Sequence, residues 1–214
     1  MSTYPEVVRR MNIILNHVWR FSSVSIAAVL FFSMLLQTNA DNNLVSEIQA
    51  GQQTPPAATT PAANPVDVAS MDSTIAALYD VISGPAGKKR DWNRFRSLFI
   101  PGARLIPTGK RQTGEIVSTV VDPEGYMTRS SKVLEEQGFF EKEIARRTET
   151  FGNIAHVFST YEARHKPEDK EPLVRGINSI QLMNDGKRWW IVTVFWQAEA
   201  PDNPLPKKYL ETKN

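Results

Sequence analysis

From residue 139 to residue 198 the chain takes on a period of two, and every break in that pattern is a turn signal. Alternation of this kind places successive side chains on opposite faces of a strand. It predicts strands over 139–150, 152–165, 173–183 and 188–198. Gly152-Asn153 is a tight turn, and Asp185-Gly186 is a strong two-residue hairpin signal. The remaining join, "HKPEDKEP", is longer and charged. Strands joined in this way form an antiparallel meander, which commits the second half of the domain to a sheet.

Helical periodicity lies upstream. In "SMDSTIAALYDVISGP", Ile75, Leu78, Tyr79 and Ile82 fall on one helical face, Ser70 or Asp72 can cap the start, and Gly84-Pro85 ends the run. Asp91 caps a second, short helix with Trp92, Phe95, Leu98 and Phe99 on one side. Ala103 to Ile106 reads as a strand, and Gly114 to Val121 as a further strand or an irregular segment. "DPEGYMTRSSKVLEEQG" is a third helix, with Asp122 as cap, Pro123 at its first position and Gly138 past its end. Helices followed by a run of strands indicate an α+β domain, expected here over 69–200 with a tail at 201–214.

The first 68 residues read differently. Arg9, Arg10 and Arg20 precede an uncharged stretch from Phe21 to Ala40, and "TNA" offers small residues at Thr38 and Ala40. This order describes a signal peptide over 1–40, cleaved near Ala40. The alternative is a retained membrane anchor, although the apolar heart from Val24 to Leu36 is short for a span. Met11 is a second possible start. Residues 41–68 contain "GQQTPPAATTPAANP" and no aromatics, the composition of a disordered linker. The expected location is periplasmic or secreted, with membrane attachment only if the N-terminal segment is retained.

Export changes the charge argument. Segment 1–40 holds three of the 25 basic residues and one of the 23 acidic residues, which leaves 22 of each. A balanced chain has no nucleic-acid footprint. With no cysteine and only His17, His156 and His165, neither a thiolate site nor a metal-spaced histidine pair is expected, and no cofactor motif is present.

The element order, the turn "FGN", and the strands "AHVFSTYEAR", "RGINSIQL" and "GKRWWIVTVFW" resemble exported members of the nuclear transport factor 2-like superfamily, also called SnoaL-like or ketosteroid-isomerase-like. The resemblance covers about residues 69–200. It implies a cone-shaped, curved antiparallel sheet with three helices on its concave face (NTF2-like, cystatin-like). It also implies a cleft between that face and the helices. Neither face of the predicted strands is simply polar, so the other face is expected to be covered by a second subunit, in a homodimer through the sheet. Superfamily enzymes place a carboxylate or histidine in the cleft as base, beside a polarising tyrosine, asparagine or second acid.

Transferred to this chain, the resemblance makes His156 and Glu162 catalytic candidates. It makes Tyr161, Asn178, Gln181 and Trp196 ligand-binding candidates. Alternation sets His156, Thr160 and Glu162 on one face of their strand and Ser159 and Tyr161 on the other. At most one set can face a pocket unless a bulge intervenes, and alternation does not say which. Three of these candidates have a structural reading as well. His156 suits a hydrogen-bonded core or interface position, Glu162 a cross-strand pair with Arg164 or Arg175, and Trp196 plain packing. The charged run "EKEIARRTE" (141–149) reads as a solvated face protecting a sheet edge. The functional expectation is an exported domain that binds a small apolar or amphipathic organic molecule. The alternatives are a cofactor-independent lyase, isomerase or hydrolase on the same fold, and a non-catalytic dimerisation module.

Overall fold

A computed structural model of the chain describes residues 60–211. The expected signal segment, and the expected linker as far as residue 59, lie outside the described residues. The linker's last residues are not irregular. Pro65–Val68 form a single helical turn, α1, capped by the Asn64 side chain, with Asp67 and Val68 buried. Arg94 donates from Nε to Asp67 Oδ2 at 2.7 Å, which ties α1 to the domain. The boundary expected at Ala69 therefore falls after the first helix.

Helix α2 (Met71–Ile82) starts at a reciprocal capping pair between Ser70 and Ser73 and buries Ile75, Leu78, Tyr79 and Ile82, the face its periodicity predicted. Helix α3 (Trp92–Ser97) is capped by Asp91. The expected short helix ends earlier than Phe99. That residue opens strand β1 (Phe99–Lys110), pairing with Ile191 before a register shift up to Arg104. Strand β2 is three residues, Ile116–Ser118. Helix α4 (Pro123–Gln137) begins and ends where its sequence signals stand: Asp122 Oδ1 accepts from the Gly125 amide at 2.7 Å, and Gly138 follows with φ 72°. A β-carbon on Gly138 would lie 2.8 Å from the His165 carbonyl, so glycine is needed there for space as well as for φ.

Four long strands follow, β3 (Phe140–Phe151), β4 (Ile154–Arg164), β5 (Val174–Asn184) and β6 (Trp189–Ala198), each within a residue or two of its expected place. The six strands make one curved sheet in the order β2-β1-β6-β5-β4-β3. The expectation of a wholly antiparallel sheet is corrected: β1 runs parallel to β6. The chain folds β2 back on β1 as a short antiparallel hairpin and then crosses through α4 to β3 at the opposite edge, so the other side of β1 meets the last strand of the meander.

The helices cover one face, termed inner. On β4 that face carries Ala155, Val157, Ser159, Tyr161 and Ala163, all buried. Its apolar members, with Ile75, Phe95, Leu98, Phe99, Ile180, Leu182 and Ile191, form the core. Each large apolar side chain buried there contributes about 1.5–3 kcal/mol. The outer face carries His156, Phe158, Thr160 and Glu162. The C-terminal segment lies against part of it. Tyr209, in a 3-10 turn (Lys207–Tyr209), packs on Phe158 at 5.2 Å between ring centroids, and its carbonyl accepts from Thr160 Oγ1 at 2.5 Å.

Candidate functional site

The inner face places polar groups where an alternating strand would bury only apolar ones. Strand β3 is an edge strand, and its pairing with β4 slips between Glu143 and Ala145. Glu141 pairs with Ala163, Glu143 with Tyr161 and, past the bulge, Arg146 with Ser159, all inner-face partners. The extra residue thus brings Glu141, Glu143 and Arg146 to the same side. The run expected to be a solvated face instead points three charged side chains toward α2.

Between α2 and this part of β3 opens a cleft of about 500 Å³. Helix α2 lines it with Ile75, Ala76, Tyr79 and Asp80, with Ser83 just past the helix end. Strand β3 contributes Phe140, Glu141, Lys142, Glu143 and Arg146. Arg164 and Pro167 close the remaining side.

A connected polar chain lies at its inner end. Asn178 Nδ2 donates to Tyr79 Oη at 3.0 Å and to Glu141 Oε1 at 3.2 Å. Tyr79 Oη and Ser159 Oγ are 2.7 Å apart, and Ser159 donates to Glu143 Oε2. The single hydrogen of Ser159 is committed to Glu143, so Tyr79 is the donor to Ser159. Arg146 holds Glu143 at 2.8 Å and also bonds Asp72.

Burial pushes the Glu141 carboxyl up to about 7, opposed by the Asn178 hydrogen bond. The Tyr79, Tyr126 and Tyr161 phenols are each raised above their ordinary range, first by burial and next by the Glu141 charge. All three phenols therefore feel the Glu141 charge. Tyr161 lies over the β5 backbone where Gly176 has no side chain: a β-carbon there would sit 2.6 Å from the phenolic oxygen.

The residues singled out from sequence divide between the faces. Tyr161, Asn178 and Trp196 are on the inner face. Asn178 belongs to the polar chain, and Trp196 packs against the core with its ring edge toward Tyr126, 6.2 Å between centroids. His156, Glu162 and Gln181 are on the outer face. Nε2 of His156 meets Ser179 Oγ at 2.9 Å and its ring packs edge-on against Phe158. Glu162 bonds Arg164 and, at 3.1 Å, Lys142, and these partners hold its carboxyl below the usual range. It is an ion-paired carboxylate: the expected pair with Arg164 forms within β4, the cross-strand partner is Lys142 rather than Arg175, which is held by Glu199, and the cleft has another acid. Gln181 is exposed beside His156. Sequence reasoning did not select Glu141, Glu143, Arg146, Tyr79 or Ser159. The available signal was the i, i+2 spacing of two glutamates at the start of a strand that follows a helix.

No family model matches the chain, and no curated protein matches it. Among solved structures, the chain is similar to an NTF2-like protein of unknown function from Silicibacter pomeroyi, with 13% identity over 61% of this chain and 94% of that one and a TM-score of 0.42. It is also similar to a protein of unknown function with a cystatin-like fold from Nostoc punctiforme (13% identity, 64% and 92% coverage, TM-score 0.46). A third is LinA (13% identity, 65% and 89% coverage, TM-score 0.47). The chain's own architecture is α+β, a curved, mixed six-stranded sheet with its helices on one face.

Proposed function

We propose that this is an exported NTF2-like domain that binds a small organic molecule in the cleft between α2 and β3. The observation that carries the reading is an open cleft of about 500 Å³ whose inner end holds a carboxyl with a free oxygen. Pockets of this size with few convergent polar groups are the usual form of a small-molecule site. Titration with the neutral apolar dye Nile red tests it. Saturable, one-to-one binding is expected for the wild type, with loss in Ala76→Trp, which fills the cleft, and retention in His156→Ala. Equal binding by wild type and Ala76→Trp would refute the site.

A second reading is favoured by one observation, the Glu141 carboxyl held near 7 beside Tyr79 and Asn178. A carboxyl titrating there is suited to take or give a proton at neutral pH, the need of a cofactor-independent lyase, isomerase or hydrolase. Turnover would follow a pH profile with a limb near 7 and vanish in Glu141→Gln.

The proposal includes export through 1–40 and a homodimer through the outer sheet face. N-terminal sequencing of the exported protein tests cleavage near Ala40 against retention as a membrane anchor. Supporting the dimer are Ile154 and Phe195, both exposed on the outer face. Light scattering at micromolar concentration tests it.

A further inference from the structure

The donors of Asn178, Tyr79, Ser159 and Ser83 at the inner end of the cleft are spent. Asn178 uses both amide hydrogens, on Tyr79 and on Glu141. Tyr79 gives its hydrogen to Ser159, and Ser159 gives its own to Glu143. Ser83 Oγ donates to the Tyr79 carbonyl at 2.7 Å. What faces the cleft is acceptor capacity, above all Glu141 Oε2, which makes no hydrogen bond to a described residue. As a carboxylate that oxygen lacks a cation, and as an acid it lacks an acceptor among the described residues.

The cations around the cleft are committed elsewhere. Arg146 is held by Glu143 and Asp72, while Lys142 and Arg164 share Glu162. Asp80 is tied to Arg94. The other ionisable groups electrostatically coupled to Glu141 are the phenols of Tyr79 on α2, Tyr126 on α4 and Tyr161 on β4, which bring no positive charge. One carboxyl in a largely apolar cleft is left without a counter-charge, and a ligand can supply it.

We infer that the cleft takes an organic cation: a protonated amine on a small apolar body, its ammonium donating to Glu141 Oε2 and its body against Ile75, Ala76 and Phe140. This rests on the small-molecule reading of the same cleft. An ammonium brings three donors to an acceptor-rich end and a positive charge to the unpaired carboxyl, whereas a neutral hydroxyl brings one donor and no charge.

Calorimetric titration of the full chain with 4-phenylbutylamine, its neutral isostere 4-phenylbutan-1-ol and the anion 4-phenylbutyrate tests the inference. At about pH 8.5, where Glu141 is ionised and the amine still charged, the amine is expected to bind at least about tenfold tighter than the alcohol, and the anion weakest. Amine affinity should fall as pH drops below about 7. Glu141→Gln should bring the amine to the alcohol's affinity while leaving the alcohol within about twofold, which also verifies the fold of the variant. An alcohol equal to the amine, an amine indifferent to Glu141→Gln, or a tighter anion would overturn the cation inference and leave the cleft standing. Failure of all three ligands to bind, or equal binding by Ala76→Trp, would remove the cleft reading and the inference together.

Discussion

Glu141 and Asn178 meet across an intervening strand: the amide on β5 donates to the carboxyl on β3 at 3.2 Å, over β4. The contact joins the edge of the sheet to its centre and orients the one carboxyl at the inner end of the cleft that lacks an ionic partner among the described residues. Asn178 also donates to Tyr79, so removing it strips two buried acceptors at once. Asn178→Leu is expected to cost about 2–3 kcal/mol in urea denaturation. It should also raise the Glu141 carboxyl further above 7, because the bond it loses favours the ionised form. Carboxyl NMR titration reads the second effect.

Stability should depend on this carboxyl with a definite sign. The folded value near 7 stands above the ordinary 4.5, so the folded state binds the proton more tightly than the unfolded chain. The contribution is fully present below about 4.5 and is lost as pH rises through 7. Glu141→Gln removes the dependence. Relative to wild type, the variant should gain roughly 2–3 kcal/mol between acidic and alkaline pH, read from denaturation curves on either side of that window.

Gly176 makes room for Tyr161. In Gly176→Ala the new β-carbon would stand 2.5 Å from the Gln197 carbonyl and 2.6 Å from the Tyr161 oxygen. A loss of roughly 1–3 kcal/mol is expected. Tyr161→Phe in the same chain should recover only part of it, since the backbone clash remains. A double-mutant cycle by thermal denaturation measures the coupling.

Arg90 is 6% exposed and donates to the carbonyls of Ile82 at 2.9 Å, Gly84 at 2.7 Å, Lys88 at 2.6 Å and Leu134 at 2.8 Å. One guanidinium thus satisfies the ends of α2 and α4 together. Lysine offers a single point of donation and cannot span them. Arg90→Lys should lose roughly 2–4 kcal/mol in urea denaturation, with ligand affinity unchanged at temperatures where the variant is folded.

His156→Ala should leave cleft binding within about twofold of wild type, because the side chain is on the opposite face of the sheet, bonded to Ser179. The Nile red titration checks this.

The elements themselves were legible before the structure. Asp122, Pro123 and Gly138 bound a helix through local backbone chemistry, and Gly152-Asn153 and Asp185-Gly186 close hairpins for the same reason. The site was only half legible. Tyr161 and Asn178 stand on the inner face, whereas His156 and Glu162 drew attention as ionisable groups in a strand and stand on the outer one. Glu141 was hidden in a run that reads as a charged edge, because burial of a charge depends on neighbours distant in the chain.

By itself, the sequence determined where chain direction changes, which residues cap helices, and which side chains share a strand face. All of these follow from interactions over a few residues, so a local pattern suffices. The tertiary structure alone decided that β1 runs beside β6, that the Ser159 and Tyr161 face is the one under the helices, and that one extra residue at the β3 bulge turns Glu141, Glu143 and Arg146 inward together. A strand's alternation is symmetric between its two faces. That symmetry is broken only when α2 crosses one of them and leaves a buried carboxyl to be satisfied there.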